Sequence, residues 1–205
     1  MRVEVVFELQ EPGDKVEPPG IAYGPDTGVL DLRDNPEALD PLEEPRLHPP
    51  LRSFLAAVNS TDSLFSAVRC RTWLAPAALA PGATTEQEPT GAACAFASQV
   101  ELIFAQESWN FARNRYEDLT RRLQELLTRE ASAEAMRAEL RVRPFHSPGA
   151  ERWGFCLVIV LHAPGDTPER AELRWGLGLA RVQQALLFIS RVLRQQSAQA
   201  SKADS

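Results

Sequence analysis

At 205 residues the chain has room for one large domain, or for one domain with a substantial appendage. Its content of 44% hydrophobic and 24% charged residues excludes a wholly disordered or collagen-like protein. The net charge of −6 argues against nucleic-acid or anionic-membrane binding by the molecule as a whole.

Val3, Val5, Phe7 and Leu9 alternate with Glu4, Val6 and Glu8, the period-two pattern of a half-buried strand. Acids interrupt that apolar run and no small-residue cleavage site follows it, so it does not read as a secretory leader. From Glu11 to Pro50 prolines and glycines crowd the chain, and only Val29 to Leu32 keeps a strand-like pattern. The charge is uneven: residues 1–50 hold twelve acids against four bases, whereas residues 51–205 hold sixteen acids and eighteen bases. The first 50 residues are therefore read as a strand plus an acidic, Pro/Gly-rich segment packed on a body of residues 51–196, with 197–205 a disordered tail.

Leu51, Phe54, Leu55 and Val58 mark a short helix opening after Pro49-Pro50, where proline is tolerated in the first turn. Val68, Cys70, Thr72 and Leu74 then alternate with Arg69, Arg71 and Trp73 as a strand. The Ala/Pro/Thr/Glu-rich stretch near 75–93 lacks the apolar content to order itself and reads as a mobile loop. A strand follows through Phe96, Ser98, Val100, Leu102 and Phe104. From Glu107 a helix is expected, with Trp109, Ala112, Tyr116, Leu119, Leu123, Leu126 and Leu127 at spacings of one, three and four.

The same grammar returns at Leu140 and Val142, with a turn at Ser147-Pro148-Gly149 and a strand through Trp153, Phe155, Leu157, Ile159 and Leu161. Asp166-Thr167-Pro168-Glu169 opens the last helix, which carries Trp175, Leu179, Val182, Leu186, Ile189 and Leu193. Strand, strand, helix is thus written three times, the first copy degraded. This predicts an α+β fold: an antiparallel sheet built from hairpins, each followed by a helix, with the helices packed on one face. The order helix, hairpin, helix, hairpin, helix over residues 51–196 is similar to that of secretion-chaperone-like α+β proteins, in architecture alone and without a shared motif.

Parity assigns the faces. Val68, Cys70, Phe96, Val100, Leu102, Phe104, Leu140, Val142, Phe155, Leu157, Ile159 and Leu161 are expected to meet the helices. The opposite face then carries Arg69, Arg71, Trp73, Arg141, Arg143, Phe145 and His162, a set of guanidinium forks and aromatic planes able to hold a carboxylate, a phosphate or a stacked base. Glu101 and Glu139 share that face and could pair with the arginines instead. Val158 and Val160 also fall there, and Leu177, Leu187 and Phe188 lie outside the main stripe of the last helix. This surplus of apolar side chains points to an interface, either under the acidic segment or in a homodimer.

Chemistry is sparse. His48, His146 and His162 are not at metal-ligand spacing, the acids Asp31, Asp34, Glu37 and Asp40 lack the calcium-loop pattern, and nucleophile-elbow, phosphate-loop and dinucleotide motifs are missing. No metal, cofactor or catalytic residue is assigned. Three widely spaced cysteines, Cys70, Cys94 and Cys156, read as buried thiols of a cytoplasmic protein. The longest apolar run, Phe155 to Leu161, is far too short to span a membrane. The leading expectation is a non-enzymatic protein-interaction or scaffold/chaperone-like domain that self-associates and binds another protein. The alternative is a small-molecule-binding domain or enzyme acting on an anionic ligand at the Arg/aromatic face, and the acidic balance opposes nucleic acid.

Overall fold

The computed structural model describes residues 1–7, 32–76, 92–129, 136–145 and 153–203. The protein is α+β, with a five-stranded mixed sheet and four helices packed on it. In chain order these are β1 (Arg2–Phe7), α1 (Glu43–Leu47), α2 (Pro49–Val58), β2 (Phe65–Pro76), β3 (Cys94–Phe104), α3 (Arg113–Arg129), β4 (Arg137–Phe145), β5 (Gly154–Gly165) and α4 (Pro168–Ala203). The spatial strand order is β1-β4-β5-β3-β2.

Two hairpins, each followed by a helix, join through their second strands: β3 and β5 pair antiparallel, with Val100 opposite Ile159. The expectation of an antiparallel-only sheet is corrected at the edge. There β1 runs parallel to β4, with Val5 opposite Leu140, and Arg137 pairs with Glu4 across the two strands. A threefold strand-strand-helix repeat is likewise not what the described residues display, because β1 completes a distant hairpin instead of forming its own. Val29 to Asp31 lie outside the described residues, as do 77–91 of the expected loop, the turn at 147–149 and His146.

The helix-side core gathers the parity-assigned residues around Trp175, Phe54, Leu51 and Leu123. Trp175 is fully buried; its indole N–H donates to Ser98 Oγ at 2.8 Å and its ring lies 4.8 Å from that of Phe96, tying α4 to β3. Val68 departs from the expected face. A β-bulge between Ala67 and Arg69 inserts one residue into β2, so Val68 packs with the opposite face while Phe65 and Ala67 stay inward. Trp153 precedes β5 and is exposed, so it does not belong to that strand's inward row.

The helix expected from Glu107 begins later. Residues Glu107–Phe111 form a 3-10 turn and α3 opens at Arg113. Asn110 causes the delay: its side-chain carbonyl accepts the Phe104 N–H and the Tyr116 hydroxyl, each at 2.7 Å, while its amide donates to the Phe104 carbonyl at 2.9 Å. Those bonds hold Trp109 edge-on against Phe104, so its spacing only imitates a helical stripe. At the other terminus α4 continues through residues 197–203, which the sequence reading assigned to a disordered tail. That stretch is rich in Ala, Gln and Ser, and residues 194–199 are exposed, so helix propensity rather than burial extends it.

The acidic segment covers an edge rather than the arginine-bearing face where residues 32–50 are concerned. Leu32 and Leu39 enter the helix-side core. Glu44 accepts the Thr72 N–H at 3.2 Å, and Arg33 donates to the carbonyls of Ser63 and Phe65 at 3.0 and 2.8 Å. Asn59 Oδ1 takes the Ala67 N–H at 3.0 Å. Side chains from 33 to 59 thus occupy the backbone groups that edge strand β2 would otherwise offer to another chain.

Gly165 ends β5 where the chain turns into α4. A Cβ there would lie 2.5 Å from the Ala171 nitrogen and 2.8 Å from the Thr167 carbonyl oxygen, both backbone atoms that cannot swing away. Gly165→Ala is therefore expected to destabilise the fold by about 2 kcal/mol or more. Thermal unfolding checks this as a fall in Tm of at least about 4 °C.

Candidate functional site

The sheet face away from the helices is ordered by register into rows. Arg69, Glu101, Val158, Arg141 and Val6 form one row across β2, β3, β5, β4 and β1. Arg71, Gln99, Val160, Glu139 and Glu4 form the next, and Trp73, Ala97, His162, Arg137 and Arg2 the third. Arg143 stands opposite Cys156, and Phe145 closes the end of β4. The structure thus brings Arg69, Arg71, Trp73, Arg141, Arg143, Phe145 and His162 to one face, with Val158 and Val160 among them.

The middle of that face is buried, while Arg69, Arg141 and Arg143 are half-buried and Arg71 at the rim is exposed. Phe145, Cys156, Val158 and Val160 form a second apolar cluster, with Val68, Trp73 and Ile103 packed against it. Glu101 keeps only 1% of its surface and Glu139 is also buried. Two carboxylates in such a place need cations, since removing an ion from water costs several kcal/mol. The arginines supply them. Arg143 Nη2 lies 2.7 Å from Glu101 Oε2, an ion contact whose angles do not make a hydrogen bond, and Arg69 reaches the other oxygen at 3.9 Å. Gln99 donates to Glu101 at 2.9 Å and accepts from Arg71 at 2.7 Å. Arg141 grips Glu139 with two N–H groups at 2.7 and 3.0 Å. Burial would lower the Arg143 pKa, but the Glu101 carboxylate and Cys156 together hold the guanidinium above its usual value. The guanidinium forks expected to receive an external anion are engaged by the face's own carboxylates and amide.

His162 differs. It is buried, its ring edge meets Trp73 at 6.0 Å, and neither ring nitrogen has a hydrogen-bond partner. Burial and then the positive charge of Arg137 hold its pKa below the usual histidine value, with Arg141 adding to this and Glu139 opposing. The imidazole is therefore kept neutral. Arg71 lies 5.2 Å over the Trp73 ring, completing a stacked corner.

The described cavities lie elsewhere. One of about 210 Å³ sits by the β3–α3 turn, lined by Ser66, Ile103, Glu107, Asn110 and Phe145 among others. The other, about 400 Å³, is an open groove between α2 and α4 lined by Pro50, Glu169, Glu172, Leu173, Gly176 and Leu177. At its margin His48 Nδ1 and Glu172 are 2.7 Å apart. Neither cavity gathers several of the predicted arginines. Cys70 is no nucleophile: burial, reinforced by the Glu44 carboxylate, pushes its thiol up to about 12. Among the described residues no group of three or more His, Cys, Asp or Glu could hold a metal ion, and no helix is long and apolar enough to cross a membrane.

The predicted interface residues separate. Val158 and Val160 are buried in the sheet cluster. Leu177 and Phe188 are each 48% exposed on α4, Leu187 is half-buried beside them, and Leu173, one turn before Leu177, is 67% exposed. These side chains point away from the sheet, because the opposite side of α4, with Trp175, Leu179, Val182, Leu186 and Ile189, fills the core. No protein-family model matches the chain, and no curated protein or solved structure matches it.

Two outcomes follow from the sheet face. Glu101→Gln leaves Arg143 and Arg69 uncompensated. The expected cost is about 2–3 kcal/mol, below that of a fully buried pair because the Arg143 side chain keeps 24% of its surface in water. Urea unfolding checks it. His162, held neutral when folded, takes up a proton in the unfolded chain first. Its contribution is complete above about pH 6.5 and is lost as pH falls below that value. His162→Gln should flatten stability against pH between about 6.5 and 5, measured as urea midpoints in parallel with wild type.

Proposed function

We propose that this chain is a non-enzymatic protein-interaction module, scaffold- or chaperone-like, that docks its partner on the outward face of α4. The observation that carries this reading is the exposure of Leu173, Leu177 and Phe188 along one side of a helix whose other side is fully used by the core. Burying a leucine or phenylalanine is worth about 1.5–3 kcal/mol, and nothing in the body takes up that stabilisation for these three. Leu173 and Leu177 adjoin one turn apart, and Phe188 with half-buried Leu187 stands three turns further along the same side, a run of apolar side chains of the kind that marks an interaction site. The engagement of Arg69, Arg141 and Arg143 by the sheet's own carboxylates supports the same reading by weakening the claim of the alternative surface.

A second reading, binding of an anionic small molecule at the sheet, draws on one observation: the unpartnered nitrogens of buried His162 beside Trp73. The readings separate in solution. A photo-reactive amino acid at position 177 should cross-link to protein in cells, whereas one at position 71 should not, and a thermal-shift screen of phosphates, nucleotides and carboxylates should be null. Absence of any adduct at 177, or a ligand shift abolished by His162→Gln, overturns the interaction reading. Leu173→Glu and Leu177→Glu should leave Tm within about 2 °C of wild type, since exposed positions carry little stability.

A further inference from the structure

The outward face of α4 is complementary to itself, and we infer that its occupant is a second copy of this chain, packed with α4 antiparallel across a two-fold axis at Ala180. This rests on the proposed use of α4 as the docking surface. At 100° per residue, Glu169, Leu173, Leu177, Ala180, Gln184, Leu187, Phe188 and Arg191 share the side opposite the core. Two pairs in this set are symmetric about Ala180, and one of them is opposite in charge; Leu177 and Phe188 fall against Gln183 and Glu172 of the second copy. Glu169 and Arg191 each lie eleven residues from Ala180, at the acidic and basic ends of the stripe, and Leu173 and Leu187 each lie seven. A two-fold axis at Ala180 therefore sets Glu169 against Arg191 of the second copy, twice, and Leu173 against Leu187, twice. A parallel pairing would instead set Glu169 against Glu169 and Arg191 against Arg191. Charge selects the antiparallel form.

Shape agrees. The groove beside Glu169, Leu173 and Gly176 is about 400 Å³, with Pro50 as its outer wall. Leu187 of the second copy falls opposite it. A Cβ at Gly176 would stand 3.0 Å from the Pro50 side chain, so the glycine keeps the groove open there. Ala180 at the axis lets the helices approach. From Glu169 to Arg191 the strip is about 33 Å long, and with the flanks of α2 and α3 about 20 Å wide, roughly 650 Å² per copy. That is the low end for a stable specific interface, so association in the micromolar range is expected. Isologous two-fold contacts are also the commonest form of self-association.

Sedimentation of the full chain between 1 and 100 µM should show a monomer–dimer equilibrium, and Leu177→Glu should weaken it by more than about a hundredfold. Glu169→Arg and Arg191→Glu should each weaken it about tenfold, and the double variant should restore it, because the swapped charges meet again across the axis. Orientation is read by cysteine cross-linking. Helix axes 8–10 Å apart leave facing Cα atoms about 4–5 Å apart, within disulfide reach. Ala180→Cys should link to itself. Leu173→Cys should not, but should link to Leu187→Cys when the two variants are mixed. Native Cys70 does not compete, with its thiol held near 12. A monomer at 100 µM, self-linking of Leu173→Cys, or failure of the double charge swap overturns the two-fold pairing. A monomer that still cross-links another protein from position 177 removes the second copy as occupant and leaves the interaction reading standing; loss of both removes the two together.

Discussion

The carboxylate of Glu101, buried in the middle of the sheet face opposite the helices, sets the terms for everything around it. A charge with 1% of its surface in water is tolerable only with cations against it, so Arg69 is drawn in from neighbouring β2 and Arg143 from β4, across β5. Gln99 and Arg71 continue the chain of contacts to Trp73, and Glu139 repeats the solution with Arg141. The consequence is functional as well as structural. A row of arginines that would attract an anion if alone is engaged in part from within, the guanidiniums of Arg69, Arg141 and Arg143 against the carboxylates of Glu101 and Glu139, with Arg71 held by Gln99.

Burial on both faces also explains the unusual strand β5. It is the centre of the sheet, between β4 and β3, and its side chains are covered almost without break from Cys156 to Ala163. One face meets Trp175 and the helices, the other the cluster of Cys156, Val158 and Val160. A strand in that position cannot alternate apolar with polar, and it does not. The edges obey a different rule: β2 is short of partners and is closed by Asn59, Glu44 and Arg33, while β1 occupies the far edge through a parallel pairing.

Local periodicity made much of this legible. Alternation in 68–74, 96–104 and 139–143, the unbroken apolar run 155–161 and the leucine spacing after Tyr116 locate strands and helix because those patterns are fixed by which sides of an element meet the core. Parity then placed the arginines, Trp73, Phe145 and His162 on one face. What parity cannot supply is the partner across the sheet. The β1–β4 pairing joins segments more than 130 residues apart, the bulge at Val68 shifts a face by inserting one residue, and Asn110 delays a helix through side-chain bonds that no spacing reveals. Glu101 was visible as a possible cross-strand partner for arginine. Its near-complete burial, which turns that option into a requirement, depends on packing from outside its own strand.

The same contrast separates the two surfaces that carried functional expectations. On the sheet, the apolar cluster and the two carboxylates are covered and meet counterparts within the chain, while the arginines keep part of their surface in water. On α4, Leu173, Leu177 and Phe188 have not, although the helix is about 54 Å long and its inner side fills the core. Solubility would favour polar residues at these positions, and Gln184 and Arg191 on the same side show that the helix accommodates them. Folding does not call for the leucines, because the core is complete without them. An apolar side chain that neither the core nor solubility demands is best accounted for by a contact that forms after folding, and the balance of Glu169 at one end of the stripe against Arg191 at the other favours a contact the chain can make with itself.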